Sequence, residues 1–87
     1  MPQAELSALK KRVADVARKS PLGKRLKDIV LEADRDDEGS DFLRVLVEVK
    51  TLESVKDEDL EALVRSIENA LSGLDERFPS VRFADAA

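Results

Sequence analysis

Four residues of the stretch DRDDEGSD have a spacing that could do chemistry. Asp34, Asp36, Glu38 and Gly39 fall at positions 1, 3, 5 and 6 of a calcium-loop pattern. Alternating carboxylates can wrap oxygens around a hard cation, and glycine at position 6 permits the sharp turn. Such a loop also needs a bidentate glutamate at position 12, which here is Val45, and position 9 is Phe42. The same residues suit a tight turn between two strands, with Gly39 at an unusual φ and Asp and Ser bonding to nearby backbone. The stretch is therefore read as an acidic hairpin loop, and no metal ligands are assigned.

Catalytic side chains are scarce. The chain has no His, Cys, Tyr or Trp. That removes the usual general base near neutral pH, the thiol nucleophile and the common zinc ligands. Serines such as Ser40 and Ser66 have no histidine to activate them. The paired acids Asp57 and Asp59 lie at a helix start, where capping and the helix dipole account for them. The expectation is a non-enzymatic protein with no cofactor.

Charge is the remaining signal. Residues 1–30 carry eight basic against three acidic residues, and the rest of the chain seven against sixteen, for a net charge of −4. A basic front and an acidic rear can orient a molecule against a partner, a second copy or a polyanion. Lys11, Arg18, Lys19, Lys24 and Arg25 are the candidate binding residues. RNA binding through this basic face and the connector after it is the alternative reading. It lacks the G-x-x-G loop of KH domains, and sheet stacking would require exposed aromatics. Of Phe42, Phe78 and Phe83, two are expected to be buried. The favoured partner is another protein or the chain itself, as a homodimer.

These side chains need elements to position them. Leu6, Leu9, Val13 and Val16 recur on one stripe, widened by Ala14 and Ala17, and predict a helix over about 4–19. Ser20-Pro21 ends it, and Gly23 in the connector is free to adopt a positive φ. Alternation of Ile29, Leu31 and Ala33 with polar neighbours predicts a strand over about 25–34. Leu43, Val45, Val47 and Val49 predict a second over about 41–51. Leu60, Leu63, Val64, Ile67 and Leu71 predict a helix over about 57–73, capped by Asp57 or Ser54. Either Gly73 closes it as a left-handed end with Leu74 folding back, or the helix runs through Gly73 to Glu76; the sequence leaves both open. Val81 and Phe83 give a short strand over about 80–85, and the last residues are expected to fray.

The order α-β-β-α-β in 87 residues makes one α+β domain. The expected fold is a two-layer sandwich, a three-stranded sheet covered on one face by two helices. The second strand is central, antiparallel to the first and parallel to the third through a right-handed crossover. This is a ferredoxin-like arrangement lacking its first strand. A third strand as short as VRFA leaves an edge for strand addition.

The stretches VLEADRDDEGSDFLRVLVEV and DERFPSVRFA resemble those of a group of short bacterial proteins that end in a D-E-R-F-P-x-V-R-F-A-like strand. The resemblance covers about a third of the chain and implies an accessory or antitoxin-like partner of another bacterial protein. The domain order also resembles the cytosolic domain of cation-efflux transporters. That family's metal-binding histidines are absent here, so the likeness is one of topology. No apolar run reaches membrane-spanning length, the start has no signal-like apolar region, and no cysteine calls for an oxidising compartment. A cytoplasmic protein is the expectation.

Overall fold

The computed structural model describes residues 5–86. Its order is α1 (Leu6–Lys19), β1 (Leu26–Arg35), β2 (Asp41–Val49), α2 (Asp57–Ser72) and β3 (Phe78–Asp85). Short 3-10 turns, Gly23–Arg25 and Leu52–Ser54, precede β1 and α2. The sheet order is β1-β2-β3, with β1 antiparallel and β3 parallel to β2. The α+β sandwich expected from the pattern is the fold observed. Residue 4, the expected helix start, lies outside the described residues.

Alternation along the strands builds the core. Ile29 and Leu31 of β1 meet Leu43, Val45, Val47 and Val49 of β2 on the inner face, and all are buried. Leu9, Val13 and Ala17 of α1 and Leu63, Ile67 and Leu71 of α2 close over them. Each fully buried aliphatic side chain of this size contributes about 1.5–3 kcal/mol of transfer free energy. Ala33 follows the same alternation yet is exposed. The hairpin's far end, residues 32–40, is exposed throughout and projects past the helix layer.

The hairpin loop is built by Asp36. Its Oδ1 accepts hydrogen bonds from the backbone N–H of Glu38 at 3.0 Å and of Ser40 at 2.8 Å. Gly39 takes φ +84, a conformation that costs glycine least.

Several local expectations are corrected. Gly23 does not adopt positive φ. It is glycine because a Cβ there would lie 2.1 Å from the Arg18 carbonyl oxygen at the end of α1. Gly73 has φ −86 and ψ −8, so it is not a left-handed cap, and the helix stops at Ser72. Leu74 is 44% exposed rather than folded back; the backbone N–H groups of Leu74 and Asp75 both bond to Leu71 O. The N-cap of α2 is Lys56, with no side-chain capping bond. Asp57, Glu58 and Asp59 fill the first turn instead, where the helix dipole favours them. The chain end is ordered through Ala86, whose N–H bonds to Val49 O at 3.0 Å; Ala87 lies outside the described residues.

β3 begins at Phe78, two residues earlier than its pattern suggested. The Ala86 to Val49 bond fixes which backbone groups of β3 turn toward β2. By alternation, the missing N–H of Pro79 falls on the outer edge, where the ladder does not need it.

Candidate functional site

Both helices lie on one face of the sheet, so the other face is open. Register sets its rows. Asp34, Phe42 and Phe78 are neighbours across the three strands, followed by Glu32, Arg44 and Ser80, then Val30, Leu46 and Arg82. Phe78 is 66% exposed, the most exposed of the large apolar side chains described. Phe42 is half-buried. The Arg44 guanidinium sits 5.6 Å from the Phe42 ring centroid and bridges to Asp34 at 2.6 Å. One arginine thus covers an aromatic face while a carboxylate orients it, a cation–π geometry.

The expectation that two of the three phenylalanines are buried fails. Phe42 and Phe83 are half-buried and Phe78 is exposed. Phe83 packs against the core, whereas Phe42 and Phe78 share the open face. The signal was available. If Val81 and Phe83 point inward, extending the strand upstream by two residues sends Phe78 outward.

A buried ion pair places Phe78. The Asp75 carboxylate accepts from Arg77 Nε at 2.9 Å, Nη2 at 2.8 Å and the backbone N–H at 2.9 Å. The side chains are 0% and 8% exposed. The hydrogen bond to Asp75 raises the Arg77 pKa above its ordinary value, against the lowering effect of burial. The pair locks the turn between α2 and β3 immediately before Phe78. Sequence reading did not single it out, because D-x-R is a common spacing on any charged surface. Beside it, Ala33, Asp34, Arg35, Asp41 and Arg77 line a shallow hollow of about 330 Å³, in which Arg35 and Asp41 pair at 3.1 Å.

All five basic candidates are exposed. Lys11, Arg18 and Lys19 are exposed on α1. Arg18 makes an i,i+3 contact with Asp15 at 3.8 Å, and with Lys19 it lies in the last turn, where the helix dipole favours cations. Lys24 is exposed on the following 3-10 turn. Arg25 is committed elsewhere: its Nη1 donates to Ser54 Oγ and to Thr51 O, tying the two 3-10 turns together. Thr51 itself takes φ 54, a left-handed conformation unfavourable for a β-branched residue. Among the described residues, no group of three acidic side chains gathers as a metal site would require. No described helix is long and apolar enough to cross a membrane.

No family model and no curated protein matches the chain. Solved structures do. A histidine-to-alanine variant of the MamM C-terminal domain superposes with a TM-score of 0.56 at 14% identity, covering 95% of this chain and 100% of that one. The copper form of an aspartate-to-histidine variant gives the same values. A histidine-to-glutamate variant gives 0.55 at 15%, covering 93% and 95%. At this identity the likeness is one of fold.

Proposed function

We propose that this chain is a non-catalytic protein-interaction module of the cytoplasm, acting as an accessory or antitoxin-like partner. One observation carries the reading: Phe78 lies two-thirds exposed beside Phe42 on a sheet face that no helix covers. Aromatic and arginine side chains are the types that most often dominate binding energy at protein interfaces, and Arg44, in the next row, sits over the Phe42 ring. Val30 and Leu46, both half-buried, lie two rows along on the same face, beyond the row of Glu32, Arg44 and Ser80. The partner is another protein or a second copy.

A tagged pull-down from native-host lysate, at low and moderate salt, tests this reading when paired with Phe78→Asp. The expected result is one stoichiometric protein that survives moderate salt and is lost from the variant. Capture that is indifferent to Phe78→Asp removes the open face from the reading.

RNA binding is the second reading, because paired aromatics beside an arginine on an open sheet can stack bases. Four carboxylates on that face, Asp28, Glu32, Asp34 and Glu48, oppose a polyanion there, and the basic residues of α1 lie on the other layer. Nucleic acid alone in the eluate, released as salt rises, would favour it.

A further inference from the structure

The helix layer carries a charge pattern that fits itself. α1 holds five basic residues and one acidic, a net +4. α2 holds five acidic residues and one basic, a net −4. The two helices pack side by side, with Val16, Lys19 and Pro21 at the end of α1 against Ala62, Leu63 and Ser66 of α2. These residues line a groove of about 390 Å³ between the helices. Among the described residues, no ion pair joins α1 to α2. The opposed charges therefore face water rather than one another.

A positive strip beside a negative strip is self-complementary about a two-fold axis parallel to the strips. Rotation about that axis lays α1 of one copy over α2 of the next, and α2 over α1, in the isologous contact typical of two-fold dimers. Lys19, in the basic last turn of α1, lies level with Ala62, Leu63 and Ser66 at the middle of α2, a stretch that carries Arg65 between Glu61 and Glu68. Few exposed apolar groups occupy this surface, so charge sets the register and makes the contact sensitive to salt.

We propose that the helix layer is a homodimer surface, whose occupant is a second copy in an α1-over-α2 arrangement. It is the opposite face from the open sheet, so either assignment can fail alone.

Analytical ultracentrifugation of three proteins tests it: wild type, an α1-reversed variant (Arg18→Glu with Lys19→Glu) and an α2-reversed variant (Glu58→Lys with Glu61→Lys). Circular dichroism verifies that each is folded. Wild type is expected to dimerise at 20 mM salt and to dissociate as salt approaches 500 mM. Each variant alone should associate roughly tenfold more weakly, or not at all, since like charges then face each other. Mixing the two variants should restore a one-to-one complex, because the new acidic pair of one then meets the new basic pair of the other. A monomeric wild type at low salt overturns the proposal. So does self-association that both reversals leave intact, or a mixture that stays monomeric.

Discussion

Asp75 grips Arg77 across two residues through three hydrogen bonds, two to the guanidinium and one to the backbone N–H. Both side chains are removed from water. Taking such charges into a low-dielectric setting is costly, and the mutual bonds offset that cost only while both partners are present. The pair is thus a device for fixing where β3 begins, and through it the place of Phe78.

Removing either partner should therefore be expensive. Asp75→Ala and Arg77→Ala are each expected to destabilise the domain by about 3–5 kcal/mol, measured by urea denaturation. The double variant should cost no more than the worse single, since it strands no unpaired charge. Folding raises the Arg77 pKa, so its contribution is fully present below the ordinary arginine value and would be lost only above the raised one. Stability from this arginine should accordingly show no alkaline loss across the usual working range.

The three glycines and Thr51 should respond in four different ways. Gly23→Ala forces a Cβ against the Arg18 carbonyl and should cost about 1–3 kcal/mol or more. Gly39→Ala meets open space but sits at φ +84, with an expected cost of about 1–2 kcal/mol. Gly73→Ala has helical φ and no neighbour within 4 Å, so a gain of about 0.4–1 kcal/mol is expected. Thr51→Gly should relieve its left-handed strain and leave stability unchanged or raised by about 1 kcal/mol. Denaturation midpoints at constant m-value would rank the four.

Arg25 and Lys24 are sequence neighbours with separable roles. Arg25→Ala loses the bonds to Ser54 and Thr51 and should cost up to about 1 kcal/mol, reduced by exposure of the contact. Lys24→Ala should fall within about 0.5 kcal/mol of wild type. Thermal unfolding of both variants at one pH and salt distinguishes them. Equal values would show that the Arg25 contact contributes nothing to the fold.

The fold was legible because alternation and helical spacing agree along most of the chain. Leu43 to Val49 alternate without interruption, and Leu63, Ile67 and Leu71 keep a four-residue step. What failed was local geometry. Gly23 and Gly73 could each be given a turn role from type alone, but the true constraint on Gly23 is a carbonyl contributed by α1, and Gly73 needs no special φ. The open-face aromatics were obscured for a related reason. Composition treats phenylalanine as core-forming, while the strand's early start at Phe78 turns that ring outward. Of the basic residues singled out, Arg25 was drawn into a structural role by Thr51 and Ser54, neighbours distant in sequence. The Asp75–Arg77 pair was missed because burial, not spacing, distinguishes it from a surface contact.

Pro79 also bears on polymerisation. Every open sheet has two flanks along which identical chains could stack without limit. On the β3 flank the proline leaves a gap in the donor row, so an added strand could engage only the stretch beyond it, from Val81 onward. On the β1 flank, Asp28, Glu32 and Asp34 fill three of the four open-face positions from 28 to 34. A second β1 laid antiparallel there would set carboxylate against carboxylate. One flank is interrupted and the other repels its own image, so both edges of the bare sheet oppose stacking into fibrils.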